Sequence, residues 1–392
     1  MKILVNASTA VVGGVAQVAA TFIVNTIEKP SGHDFMYTVS SLVAEQIKSL
    51  IKTLPSQVVV ISPTPAKLLG GRASRAAIRL LARTFRPDVV YSIASPSYVH
   101  FESTLEVARY TCGWFTHPNK LAYSTLSLAG VLRFRLQDFY TAWSLRHVRC
   151  FQVQTQVAAQ GLARRLALRP EDVRVIPNCQ NQIFSEAGQF AVPRDGLCGE
   201  AKIFVLAHPY PHKKLDIVPH VAAALMACGK TAKFVMTLPE NNPQTLKILA
   251  AADQLHVRHM IENVGRVDLR ECREWYGRCD LVFMPTVFET FSATYLEAMA
   301  MRRPIVATDL DFARDACGDA AEYYEPTNAA AAAAAIARLM DDKGRYKQLV
   351  QNGREQLLRF PTPQAKYEME LAWILEMAEK HAASRADGLS RH

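Results

Sequence analysis

The sequence predicts an α/β protein made of two doubly wound domains that face a central cleft. Three observations lead there. Short apolar runs of strand type alternate with segments of helical spacing along most of the chain. At 392 residues the chain exceeds one ordinary core. The alternation lapses between Pro177 and Gly199 into Asn, Gln, Pro, Gly and Cys, the composition of a linker, and then restarts.

The elements follow in order. KILV reads as a strand and Gly13-Gly14 as a turn, and Val15, Val18, Ala19, Phe22, Ile23 and Ile27 then recur at helical spacing. QVVVIS (57–62) is a strand, a helix covers roughly 72–86, and DVVYSIA (88–94) follows Pro87. CFQVQTQ (150–156) is a strand, with a helix through Arg165 and then VRVIPN (173–178). Past the linker come AKIFVLA, a helix from about 215 to Gly229, KFVMTL, a helix through about 256 and another near 268–277. DLVFMP, the helix TYLEAMAM, RPIVATD and AEYYEP complete the second half. The alanine run at 329–335 is followed by Ile336, Leu339 and Met340, so it reads as a packed helix. Apolar strands alternating with helices imply parallel sheets covered on both faces. Ligands of such sheets lie at the carboxyl ends of the strands, here in the expected cleft.

Composition narrows the class. With 49% hydrophobic and 21% charged residues the chain is globular rather than disordered. No apolar run approaches the roughly 20 residues of a membrane span. MKILVNASTA is too weakly apolar for a secretory signal, so the cytosol is the expected compartment. The eight cysteines are scattered without a C-x-x-C pair, as suits reduced thiols better than a disulfide framework or zinc site. The net charge of +9 is unevenly placed. Residues 1–180 carry 20 Lys/Arg against 9 Asp/Glu, whereas 181–392 carry 25 against 27. An anionic partner is therefore expected to meet the first half.

The segment FETFSATYLEAMA (288–300) sets Glu289 and Glu297 among residues that otherwise read as core. A carboxylate buried without a partner is costly, so two need a reason. DLVFMPT (280–286) reads as a buried strand, TYLEAMAM as a helix, and Phe288–Ser292 as the turn between them. The first amides of a helix lack intrahelical partners and lie at its positive end, which suits a phosphate. Glu289 in the turn and Glu297 one turn into the helix can each accept vicinal hydroxyls. A diphosphate flanked by two polyols is a sugar nucleotide. On spacing alone, a turn-capping Glu289 and a solvated Glu297 remain an open alternative.

The run E-T-F-S-A-T-Y-L-E-A-M-A-x-x-x-P-I-V resembles the signature of the retaining glycosyltransferases of GT-B fold, the family-four or group 1 type. NAST…VVGGVAQ resembles that family's glycine loop, VIPNCQNQIF its last acceptor-domain strand and linker, and HKKLD its phosphate-binding lysine loop. ENVGRV…WYGRCDLVFMPTVFE…LEAMA…RPIVATD resembles its donor-domain core. The resemblance implies two Rossmann-like domains, residues 1–180 binding the acceptor and 181–362 the nucleotide sugar. It implies a final helix in 363–392 that crosses back to the first domain and ends in a polar tail. Glu297 would bind ribose hydroxyls and Glu289 hydroxyls of the transferred sugar, while amides of Thr290, Phe291, Ser292 and Ala293 would hold the diphosphate. Lys213 would neutralise the leaving diphosphate. Gly13 and Gly14 would let backbone approach the substrates, and His117 in WFTHP would lie near the sugar. Transfer would keep anomeric configuration and require no cofactor and no metal beyond the nucleoside-diphosphate sugar itself.

Several positions depart from the pattern. The family often has Gly where Thr290, Ser292 and Arg302 stand, and Arg where His208 stands. A neutral imidazole is a weaker phosphate partner than a guanidinium, and Lys214 can compensate. Asp309-Leu-Asp311 imitates a metal-binding D-x-D but follows IVAT, where solvated acids at a strand end are expected. His208-x-x-x-His212 has ligand spacing only in a helix, which Pro209 and Pro211 forbid.

Arg72, Arg75, Arg79, Arg83 and Arg86 recur at helical spacing, as a solvated face or as a surface for anionic lipid and a lipid-linked acceptor. Arg133, Arg135, Arg146 and Arg149 extend that basic character. The expected partners are a nucleotide sugar and a glycan or lipid-linked acceptor, at the inner face of the cytoplasmic membrane. Cell-surface polysaccharide or lipopolysaccharide synthesis is the expected context. A catalytically silent sugar-nucleotide binder and an epimerase or hydrolase on the same double fold are the alternatives. Nucleic-acid binding, of a different class, is not expected, because no RNA- or DNA-binding module is recognisable.

Overall fold

The computed structural model describes residues 1–29, 31–102, 104–185, 197 and 200–389. Most of the linker expected between Pro177 and Gly199, with Cys198, lies outside the described residues. The chain divides into two compact units. One comprises Met1–Pro118, Gly130–Pro177 and Gln364–His392, and the other Asn119–Ala129 and Asn178–Pro363.

The first unit holds a parallel sheet. Its described strands are β1 (Lys2–Ala7), β2 (Asp34–Val39), β3 (Val58–Val60), β4 (Val89–Ser92), β5 (Leu105–Arg109), β6 (Cys150–Val153) and β7 (Val173–Val175). They lie in the order β3-β2-β1-β4-β5-β6-β7, so the order reverses between β1 and β4. Alternate residues of β1 serve opposite faces. Ile3, Val5 and Ala7 join a core with Phe22, Ile23, Val43 and Ile47, while Leu4 packs with Ile61, Ile78 and Val99. Burial on both faces is why KILV is apolar throughout.

The helix Pro363–Leu389 completes the first of these cores with Tyr367, Trp373, Ile374 and Met377. A buried polar cluster fixes it there. Glu370 accepts from Lys366 Nζ at 2.6 Å and Gln152 Nε2 at 2.7 Å, with Arg109 Nε at 4.0 Å. Burial raises the Glu370 pKa, but the Lys366 and Arg109 cations and the two hydrogen bonds outweigh it and leave the carboxyl below its ordinary value.

The second unit repeats the theme with β8 (Ala201–Val205), β9 (Ala232–Met236), β10 (Ile261–Asn263), β11 (Leu281–Met284), β12 (Ile305–Thr308) and β13 (Ala321–Tyr324). Their order is β10-β9-β8-β11-β12-β13, all parallel, with the reversal between β8 and β11. One face carries Ile203, Val205, Leu281 and Phe283, and the other Phe204, Val282, Met284 and Ile305. The alanine run forms the helix Ala329–Asp341 and packs on the first of these faces.

Strands β2, β5 and β10 escape the alternation read from the sequence. Each includes a charged residue, which interrupts an apolar run. In β5 that charge is buried with a partner: Ser92 Oγ donates to Glu106 Oε1 at 2.6 Å. Gly13 and Gly14 correct the turn expected there, since Gly13 opens the helix Gly13–Glu28 and the turn falls before it. Thr9 Oγ1 donates to the Ala94 carbonyl, tying that turn to the end of β4. A Cβ added at Gly14 would meet nothing within 4 Å, so the backbone does not require glycine there.

Candidate active site

The reversal between β8 and β11 is where a doubly wound sheet opens a crevice, because the loops after the two strands diverge. Both loops carry residues singled out in the sequence. After β8 the chain runs through His208-Pro-Tyr to a 3-10 turn, Pro211–Lys213, and reverses at Lys214, whose φ is 48°. The rings of His208, Tyr210 and His212 stack in series at 4.3 and 5.5 Å. After β11 the chain passes Thr286–Ser292 before the helix Ala293–Ala300.

A ladder of hydroxyls and carbonyls ties these loops together. Thr308 Oγ1 at the end of β12 donates to the Thr286 carbonyl at 2.7 Å, and Thr286 Oγ1 donates to the His212 carbonyl at 3.2 Å. The Val287 amide donates to the same carbonyl at 2.9 Å. The result is that Lys213 Nζ and Glu289 Oε1 form an ion pair, each side chain largely buried.

His212 was missed as a site residue; its signal was its place beside Lys213. Burial dominates its environment and, with Lys213 opposing Glu289, holds its pKa down at about 4, so the ring is neutral at physiological pH. His208 is also held below its ordinary value, by burial and then by the charges of Arg266 and Lys213. Arg266, from the loop after β10, thus brings a guanidinium near His208. Lys214 is engaged with Asp216 at 2.9 Å.

Glu297 lies in the interior of its helix, only 8% exposed. Burial pushes its carboxyl up to about 7, against an opposing hydrogen bond donated by Tyr276 Oη to Oε2 at 3.0 Å. Tyr276 is fully buried, and its backbone is clamped by Arg303, whose Nε donates to the Tyr276 carbonyl at 2.8 Å and Nη2 to that of Gly277 at 3.3 Å. Ser292 is the residue before the helix and makes no side-chain cap there. Phe291 packs on Phe360, and Thr290 and Ala293 are half-buried. Below the helix, Gly353 approaches Met299 so closely that an added Cβ would stand 3.3 Å from its Cγ. Arg302 adopts φ 54°, the left-handed region that favours glycine.

The remaining sequence candidates lie elsewhere. Gly13, Gly14 and His117 belong to the first unit. His117 ends the short helix Gly113–Thr116, with Nδ1 2.7 Å from Thr116 Oγ1. Gly161 lies under this segment, where an added Cβ would fall 2.0 Å from the Thr116 carbonyl oxygen.

The arginine row is less uniform than its spacing suggests. Arg75 donates to the carbonyls of Pro65, Lys67 and Leu68, and so closes a loop rather than facing a ligand. Arg86 follows the helix Arg72–Phe85 in a left-handed conformation. Arg79, Arg83 and Arg86 line a cavity of about 420 Å³ with His100 and Glu102, and Arg72 is exposed. Asp309 is paired with Arg314, with Oδ2 2.8 Å from Nη2. Among the described residues no group of three or more His, Cys, Asp or Glu is placed to hold a metal ion.

A family model described as glycosyl transferases group 1 matches residues 199–356, which include the β8 and β11 loops. The second unit carries a group 1 glycosyl transferase domain. Within that glycosyl transferase domain fall Lys213, Glu289 and Glu297 together with their supports Tyr276, Thr286, Arg303 and Thr308.

A mannosyltransferase of Mycolicibacterium hassiacum, the MMP alpha-(1->4) enzyme, is 23% identical over 204 residues, 51% of this chain. That alignment spans 47% of the relative, so the chain covers about half the length of that curated protein. A glycosyltransferase from Rickettsia africae superposes with a TM-score of 0.71 at 16% identity, covering 96% of this chain and 98% of the other. The Anabaena HepE protein, solved with UDP and glucose, gives 0.69 at 14% identity, covering 96% and 99%. These structural likenesses show the fold of the chain, which is GT-B.

Proposed function

We propose that the protein is a retaining glycosyltransferase that moves a sugar from a nucleoside-diphosphate donor to a glycan or lipid-linked acceptor. The observation that carries this reading is the Lys213–Glu289 pair at the switch between β8 and β11, one helical segment away from the buried Glu297. HepE, a neighbour in fold, was solved with UDP and glucose, and the mannosyltransferase relative is named for sugar transfer.

In this reading the second unit binds the donor and the first the acceptor. Glu297 accepts the ribose hydroxyls and Glu289 accepts hydroxyls of the transferred sugar. Lys213 shifts toward the diphosphate and stabilises the charge that develops as the glycosyl–oxygen bond breaks. Arg266 adds a second cation in place of the missing arginine. Amides of 290–293 bind the diphosphate at the positive end of the Ala293–Ala300 helix. The acceptor hydroxyl attacks the same face from which the diphosphate leaves and gives its proton to the departing phosphate oxygen, so configuration is retained. His117 orients the sugar, and the residues themselves require no metal. Cell-surface polysaccharide or lipopolysaccharide synthesis at a cytoplasmic membrane face is the setting that fits the basic first unit.

Titration calorimetry with UDP- and GDP-sugars, followed by NMR assignment of the product anomer, tests this reading. Donor binding with an anomer matching the donor supports it. An inverted anomer removes the retaining mechanism, and no binding to any donor removes the reading itself. His208 favours a second reading, a silent sugar-nucleotide binder, for which donor would bind without turnover.

A further inference from the structure

The helix Leu128–Leu145 turns the wrong residues outward for a soluble surface. Its inner side buries Thr141, Ser144 and Leu145 and stacks Phe134 on Trp114 at 4.6 Å. Its outer side presents Leu132, Leu136, Phe139 and Trp143, which are 61%, 66%, 77% and 53% exposed. Spacings of four, three and four place all four on one stripe. An exposed stripe of large apolar side chains calls for an occupant.

The charges around the stripe say what that occupant is. By helical geometry Arg133 and Arg135 lie on its two flanks, both exposed. At its end Arg146 stands over the Trp143 ring, 5.1 Å from the centroid, and Tyr140 stacks on the same indole at 6.0 Å. Apolar residues bordered by arginines, with Trp and Tyr at one end, match the layering of an acyl–headgroup boundary. A second copy fits worse, since a face-to-face pair would set like charges beside one another. Crossing the bilayer is a different matter: no described helix is long and apolar enough for that.

We propose that this face of the Leu128–Leu145 helix docks in the plane of a bilayer containing anionic phospholipid. The apolar stripe enters the acyl boundary and Arg133, Arg135 and Arg146 meet phosphate headgroups. The proposal does not rest on glycosyl transfer, and it moves the principal contact from the Arg72–Arg86 row to a different helix.

The test is sedimentation of the full chain with vesicles of phosphatidylcholine alone and of equal parts phosphatidylcholine and phosphatidylglycerol. Binding is expected on the mixed vesicles, with a blue shift of tryptophan fluorescence that Trp143→Phe reduces. Leu132→Gln/Leu136→Gln/Phe139→Gln should lower binding about tenfold or more. Arg133→Glu/Arg135→Glu should weaken the preference for anionic vesicles by about fivefold per arginine. Because all these side chains are exposed, melting temperatures should hold, and single Phe139→Gln serves if the triple variant does not fold. Equal sedimentation of wild type and variants overturns the proposal. So does absence of vesicle binding together with a dimer, seen by light scattering, that Phe139→Gln dissolves.

Discussion

Lys213 and Glu289, 76 positions apart in the chain, are ion-paired at the carboxyl edge of the second sheet. Neither reaches the other by local structure. The His212 carbonyl, held by Thr286 and Val287, brings the two loops into register. The pair keeps the lysine extended where the proposed diphosphate would draw it away.

Lys213→Ala should therefore lower kcat by about a hundredfold, with donor affinity reduced less, as expected for a cation that acts most strongly on developing charge. Glu289→Gln should lower turnover while leaving nucleotide binding nearly intact. Steady-state kinetics with calorimetry of UDP separates the two. For folding, a double-mutant cycle should give a coupling of about 1 kcal/mol, the range of a partly solvated pair.

Glu297 should make stability fall with rising pH. Its folded pKa of about 7 lies above its ordinary 4.5, so the folded state holds an extra proton between these values. Stability is highest below pH 4.5, declines through that window and levels off above 7, a loss on the order of 3 kcal/mol. Glu297→Gln should flatten this slope in melting curves. Tyr276→Phe, which removes a hydrogen bond to the charged form, should move it to higher pH. UDP binding near neutral pH should release protons, seen as a buffer-dependent heat in calorimetry.

Gly161→Ala should destabilise the first unit by about 1–3 kcal/mol, because the Thr116 backbone has to move to admit a methyl group. Chemical denaturation measures the loss. If the proposed role of His117 holds, turnover should also fall, whereas binding of UDP should persist.

Arg302→Gly should stabilise the protein by about 1 kcal/mol, by relieving the left-handed backbone at that position. A raised melting temperature without change in donor affinity is the expected pair of results. The gain is smaller if the flexible glycine costs more entropy in the unfolded chain.

Strand alternation made both sheets legible in the sequence, because strands buried on two faces read as unbroken apolar runs. Glu289 and Glu297 stood out for the opposite reason, as charges inside such a run. What escaped notice acts across long separations. Tyr276 meets Glu297 through a fold that places it 21 positions upstream, and Thr308 supports Thr286 from the neighbouring strand. Their residue types are unremarkable in isolation. Arg303 carried a faint signal, a cation between AMAM and PIVAT, yet its task of clamping the Tyr276 and Gly277 carbonyls follows only from the packed helices. Arg75 shows the converse, since periodicity placed it on a surface row while three nearby carbonyls claimed it.

The helix Pro363–Leu389 fills the core of the first unit with residues that leave the ribosome only after the second unit has been made. Trp373 and Ile374 join that core only once the strands of the second unit have been translated. The second unit can thus assemble while the first still lacks part of its interior, and a nascent chain stalled before 363 would expose the apolar flank of the helix Gly13–Glu28. The amino-terminal unit should consequently be the later of the two to acquire protease resistance during synthesis.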